Sequence, residues 1–164
     1  TTLDDFVRSV PRLFVLTGAG CSTASGIPDY RDEKGDWKNR PPVQFQDFIG
    51  SHASRQRYWA RSLVGWARVF AAQPNRSHEA LAILERRGAV SVLVTQNVDG
   101  LHQKAGSQAV IDLHGRLDAV RCLECSTLTR SNSRSRSRII DRSAAMRVRM
   151  CLTSSRSSSA FFVD

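Results

Sequence analysis

The sequence predicts an α/β chain built on a Rossmann-like, doubly wound parallel sheet with a helical insertion, and three observations predict it. "RLFVLTGAG", residues 12–20, is a short apolar run that stops at a glycine turn, as a strand buried in a parallel sheet does. "SVLVTQNVDG", residues 91–100, repeats that design. Between them lie two stretches with apolar residues at helical spacing. Strand, glycine loop, helices, strand is the order from which doubly wound sheets are made.

Taken in order, the first strand ends in "GAGCSTASGIPDYR", Gly18 to Arg31. Glycines there let a ligand approach the backbone, and the free N–H groups of the following turn can hold a phosphate. The loop departs from the G-x-G-x-x-G dinucleotide fingerprint, since Ala24 and Ser25 stand near where its third glycine belongs. Read alone, it fits a tight turn as well as a phosphate loop. The Gly-Ile-Pro turn that follows presents Asp29, Tyr30 and Arg31 together: an acceptor for an amide or hydroxyl, a ring cover and a phosphate partner.

The insertion spans about residues 40–87. "SHASRQRYWARSLVGWARVFAA" carries Tyr58, Trp59, Leu63, Trp66, Val69 and Phe70 at helical spacing. "SHEALAILERRG" reads as a helix with Ser77 as N-cap and two arginines before Gly88, where it should stop. The second strand ends in Gln96, Asn97 and Asp99, which places amide and carboxylate groups at the carboxyl edge of the sheet, where ligands of such folds sit. Asn97 or Asp99 would equally serve as the N-cap of the next helix. His114, after the apolar "VIDL", is either a packed core residue or a general base with a pKa suited to neutral pH.

Composition bounds the class. The 164 residues suffice for one well-buried core, and 24 Lys+Arg against 15 Asp+Glu give +9. Eight arginines and two aspartates between Ser126 and Asp164 supply +6 of this, leaving +3 for the rest. Arguments from net charge to nucleic acid or membrane therefore concern the tail. No apolar run approaches the roughly 20 residues of a membrane span, so no membrane partner is expected. Cys21, Cys122, Cys125 and Cys151, without a signal peptide, point to a reducing compartment. After Cys125 the chain becomes rich in Ser and Arg with no glycine, a composition that buries too little apolar area to offset the entropy of ordering, and it reads as disordered.

GAG-x-S followed by GIPDYR, then TQNVDGLH, then LHG, then Cys122-x-x-Cys125, in this order, resembles the sirtuin family of NAD-dependent protein deacylases over roughly Leu3 to Cys125. "RQRYWARSLVGW" and "QPN-x-x-H-x-AL" further resemble its class II branch, found in bacteria and mitochondria. The resemblance implies NAD as cofactor. Gly18, Ala19, Gly20 and Ser22 would hold the pyrophosphate. Gly26, Ile27, Pro28, Asp29, Tyr30 and Arg31 would form the cofactor loop, with Asp29 near the nicotinamide amide. Gln96, Asn97, Val98 and Asp99 would line the ribose and nicotinamide pocket, and His114 would be the general base. Cys122 and Cys125 match the first half of a structural Cys₄ zinc site, whose second C-x-x-C would lie further along; here only Cys151 follows.

On this resemblance, residues 1–120 are a partial Rossmann-like NAD-binding domain, 121–125 the start of a truncated small zinc module and 126–164 a low-complexity tail. The implied function is transfer of an acyl group from lysine in protein substrates to ADP-ribose with release of nicotinamide, impaired by loss of the C-terminal half of the site. The alternatives are an inactive NAD-binding or interaction fragment and a sirtuin-type ADP-ribosyltransferase. Behind both stands a nucleic-acid-associated protein, since alternating Arg and Ser bind phosphate backbones; the tail has no aromatic residue before Phe161, and nucleic acid is not an expected partner. A cytoplasmic location is expected, with the mitochondrial matrix as the alternative. A sheet lacking its later strands should expose a long apolar edge. Tyr58 and Arg61 share a helix face and resemble the Tyr-x-x-Arg pair of sirtuins that remove acidic acyl groups; otherwise Tyr58 packs with Trp59 and Trp66 in the helical core.

Overall fold

The structure, a computed structural model, describes residues 2–38, 41–123, 126–130 and 148–150. Helix α1 (Leu3–Ser9) opens with a capping box in which Thr2 and Asp5 bond each other's backbone N–H, and it buries no residue. Strand β1 (Leu13–Thr17) follows, then a 3-10 helix (Ala19–Ser25). Helices α2 (Phe45–Gly50), α3 (His52–Ala71) and α4 (Arg76–Arg86) lead to β2 (Val90–Thr95). A short α5 (Leu101–Lys104) and β3 (Val110–Asp112) complete the larger sheet.

That sheet has the order β1-β2-β3, all parallel, with Leu16 level with Val94 and Val94 level with Ile111. The expected α/β architecture is present. Helix α4 packs on β2 and α5. Leu93 and Leu101 are fully buried. The other face is open: Phe14 is 66% exposed, Leu16 57% and Ile111 50%, and the register aligns all three with Val92 and Val94. The exposed apolar surface thus lies on a face of the sheet, not along the edge expected of a partial sheet.

A second cluster forms away from this sheet. Phe48 of α2 and Tyr58 and Trp59 of α3 meet edge to face and bury Val120 of β4 (Ala119–Cys122). Tyr58 therefore belongs to a core, with Phe48 and Trp59 as neighbours, while Trp66 stacks on Phe70 at 4.7 Å.

One expectation is corrected. The N-cap of α4 is Asn75, two residues before Ser77: its Oδ1 accepts from Ser77 N at 2.9 Å, and its Nδ2 donates to Cys21 O and Ser25 Oγ. Asn75 directly precedes the first helical residue, Arg76, so its side chain reaches the free N–H of Ser77, which already lies inside the helix. Of the tail that reads as disordered, the described residues include β5 (Leu128–Arg130) and β6 (Val148–Met150), which pair antiparallel with the two edges of β4. The remainder of 131–164, with Cys151, lies outside the described residues, as does Cys125. Among the described residues no helix is long and apolar enough to cross a membrane.

Candidate functional site

The carboxyl ends of β1 and β2 lie side by side, because Gln96 N donates to Thr17 O and extends their pairing by one step. Beyond this point the two chains diverge, one into Gly18 and the 3-10 helix, the other into Asn97–Gly100. The cleft between them measures about 330 Å³ and is lined by Ala19, Ser22, Ile27, Tyr30, Gln96, Asn97, Val98 and Asp99, with Val69 and Leu117.

Its floor is a buried polar network. Ser22 Oγ donates to Asp99 Oδ2 at 2.7 Å and accepts from Asn97 Nδ2 at 3.1 Å. Asn97 Nδ2 also donates to Gly18 O, and Asp99 Oδ1 accepts from Leu101 N. Asp99 thus holds the first N–H of α5 with one oxygen and the glycine loop with the other, while the N-cap of α5 is Gly100 and neither Asn97 nor Asp99. Gly18 and Gly20 have open space where a Cβ would stand. Gly26, at φ 82°, ends the 3-10 helix in the left-handed region that favours glycine and turns Ile27 inward against Ala72 and Leu101.

The structure does not bring every predicted residue to the cleft. Asp29 pairs with Lys38, and the Arg31 guanidinium lies 4.0 Å from the Trp37 ring centroid. Gly18, Gly20, Gly26 and Pro28 shape the loop without lining the cleft. His114 follows β3 on a loop pinned at both ends, Leu113 N to Thr95 O and Leu117 N to Val98 O, each at 2.9 Å. The second bond ties this loop to Val98 in the cleft wall. Burial lowers the pKa of His114, so its imidazole is neutral at neutral pH.

Sequence reasoning missed Val69 and Leu117. Val69 lies on the apolar face of α3, and Leu117 carries no signal beyond its place three residues after His114. It also missed a polar group beside the loop: Cys21 Sγ lies 3.9 Å from His78 Nε2, and the His78 and His102 rings are 4.7 Å apart. The "QPN-x-x-H" and "DGLH" segments were visible, but nothing local joins them.

Cys122 ends β4 with a free thiol of intermediate exposure, and the turn after it is closed by Ser126 N to Cys122 O and Cys122 N to Thr127 O. Cys125 lies outside the described residues.

Comparison with known proteins agrees with this geometry. The Sir2 family model matches residues 18–164. An NAD-dependent protein deacetylase of Xanthomonas axonopodis pv. citri (strain 306) is 69% identical over 124 residues, which are 76% of this chain and 42% of that protein. One from Bordetella pertussis (strain Tohama I / ATCC BAA-589 / NCTC 13251) is 63% identical over 123 residues, 75% of this chain and 45% of that protein. The chain thus spans less than half the length of these relatives. Among solved structures, a Sir2 homolog in complex with NAD superposes with a TM-score of 0.66 at 39% identity, covering 80% of this chain and 52% of that one. A Sir2 protein bound to acetylated peptide gives 0.66 at 30% identity, covering 79% and 52%. With its family model matched from the glycine loop onward and its glycine loop, polar floor and histidine loop assembled at one sheet edge, the chain belongs to the Sir2 family.

Proposed function

We propose that this chain carries the nicotinamide-side half of an NAD-dependent protein-lysine deacylase site. The observation that carries the reading is the Ser22–Asp99–Asn97 network, which joins the glycine loop to the second strand's end at the floor of a cleft. The donor set fits a dinucleotide: an open glycine loop for phosphate, and amide and carboxylate groups at the strand ends for ribose and carboxamide. The names of the relatives and the NAD and acetyl-peptide complexes of related structures support the same reading.

When bound, NAD supplies the glycosidic carbon to which the acyl oxygen is transferred. The chain's own residues bind and orient. Ala19 in the cleft wall and the open Gly18 and Gly20 beside it would offer backbone to the phosphates; Gln96, Asn97 and Asp99 would hold ribose and carboxamide; Ile27, Val69 and Leu117 would exclude water from one wall. His114, neutral at neutral pH, would serve as the proton acceptor for a ribose hydroxyl. The substrate class is acyl-lysine in proteins.

The zinc reading belongs here too. Cys122 stands at the entrance of a closed turn, and the Cys122-x-x-Cys125 spacing supports a thiolate pair as the first half of a structural zinc site. A cytoplasmic location is proposed on the four cysteines of the chain.

Calorimetric titration with NAD is the test. The chain should bind saturably, Asp99→Asn should weaken binding about tenfold, and His114→Ala should retain binding while losing nicotinamide release that depends on acetyl-lysine peptide. Absence of saturable NAD binding by the folded chain would overturn the proposal.

A further inference from the structure

We infer that Cys21, His78 and His102 form a second site, built to take one zinc-class divalent cation through a thiolate and two imidazole nitrogens. The three come from different elements: the 3-10 helix, the first turn of α4 and α5. Cys21 Sγ and one ring nitrogen of each histidine all lie within 4.8 Å of one another, and Sγ to His78 Nε2 is 3.9 Å. Zinc bonds of about 2.3 Å to sulfur and 2.0 Å to nitrogen set tetrahedral ligand pairs roughly 3.3–3.6 Å apart. Side-chain adjustments of well under the width of an atom close the site.

A second observation points to the same ligand. His102 is 1% exposed, and its Nδ1 is buried with no hydrogen-bond partner among the described residues. A buried ring nitrogen without a partner is costly unless something fills its lone pair. Its Nε2 lies 2.9 Å from Thr17 Oγ1, the kind of outer contact that orients a ligating imidazole. His78 is held from the other side: Nδ1 accepts from Asn75 N at 3.2 Å, which places the ring proton on Nε2, facing Cys21.

Metal binding balances as follows. The Cys21 S–H bond breaks, sulfur bonds the metal and the proton goes to buffer. On His78 the proton leaves Nε2 and one is taken up at Nδ1, giving up the Asn75 N–H bond; that is one neutral hydrogen bond against three metal–ligand bonds. One proton is released per metal bound. Among the described residues no fourth His, Cys, Asp or Glu joins the group, which leaves the fourth position to water. Three protein ligands and an open position describe an exchangeable ion. The seat is separate from Cys122 and Cys125, and it adjoins Ser22 in the loop that the cofactor reading uses without requiring that reading.

Metal-stripped full-length chain is titrated with Co²⁺ in the absence of NAD and then challenged with Zn²⁺. In a Cys122→Ser/Cys125→Ser background, which lacks the other thiolate pair, one equivalent should bind with a thiolate-to-cobalt charge-transfer band, and X-ray absorption should show one sulfur and two imidazole nitrogens. Adding Cys21→Ser should abolish that band. In the unmodified chain, Zn²⁺ should slow alkylation of Cys21 by iodoacetamide about tenfold or more, read by peptide mass spectrometry, because a metal-bound thiolate is withdrawn from reaction. This arm needs no variant and no cofactor, so its failure is distinct from failure of the deacylase reading. A band unchanged in Cys21→Ser, or Cys21 alkylation indifferent to saturating Zn²⁺, would overturn the site.

Discussion

Ser22 and Asp99, 77 residues apart in sequence, meet at 2.7 Å, hydroxyl to carboxylate. This bond fastens the glycine loop to the end of β2, with Ser22 1% exposed. Ser22→Ala leaves a carboxylate oxygen and the Asn97 amide short of a partner, at a cost of about 1–3 kcal/mol. Urea unfolding should show this loss. A double cycle with Asp99→Asn should give a coupling energy on the order of 1 kcal/mol; strict additivity would mean that the bond contributes nothing.

Asn75 is expected to matter more than Ser77. Asn75→Ala removes the cap of α4 and both anchors to the 3-10 helix, so it should cost about 1–2 kcal/mol and weaken NAD binding together. Ser77→Ala keeps the backbone N–H that the cap uses and should stay within about 0.5 kcal/mol of the parent. Equal effects from the two substitutions would return the cap to Ser77.

Asp112 is buried, and that burial raises its pKa above the ordinary value of 3.8 despite two contacts at 3.0 Å from Gln103 Nε2. The native state therefore holds the proton more tightly than the unfolded chain. Stability contributed by this group falls as pH rises from 3.8 through the raised value, and at neutral pH the buried charge is a net cost. Asp112→Asn should raise stability at pH 7 by about 1 kcal/mol and flatten this part of the pH dependence, since an amide carries no charge to desolvate. It can also offer an N–H to Gln103 Oε1, which is buried without a partner. Denaturation midpoints across acid to neutral pH check it; a less stable Asn variant at pH 7 would refute it.

His114 is pushed below 6.5 by burial, so its basic form persists to lower pH than a free imidazole. If it takes the ribose proton, the acid limb of peptide-dependent nicotinamide release should have an apparent pKa below 6.5. A limb centred above that value would assign the base elsewhere.

Phe48 is fully buried and contacts both Tyr58 and Trp59. Phe48→Ala should cost about 3–5 kcal/mol. It should change the near-ultraviolet dichroism of Trp59 before the larger sheet melts, because that cluster packs on β4 and not on β2.

Much of this was readable along the chain where the cause is local. The Phe14–Leu16 and Val92–Val94 runs end in loops that show their turn chemistry, and the Tyr58–Phe70 spacing has one helical solution. The sheet-edge position of Gln96, Asn97 and Asp99 followed from that order. What was not legible depends on distance. Nothing near Ser22 announces Asp99, and nothing near Val98 announces Leu117. Asp29 read as a cofactor contact because its turn presents it, yet Lys38, nine residues on, pairs with it. Ser77 read as a cap because serine is a good one, while the better-connected Asn75 stood two places earlier.

The bare face of the larger sheet has a practical consequence at the bench. Phe14, Leu16 and Ile111 form a flat oily strip on two outer strands of a highly basic chain, so charge repulsion and stickiness compete whenever molecules meet. Salt screens the first within about 10 Å at 0.1 M, and sulfate strengthens the second. The chain should therefore stay clear in dilute, low-salt buffer, turn cloudy early in an ammonium sulfate cut and light up hydrophobic dyes while still folded. Purification by salting-out would select against the native form.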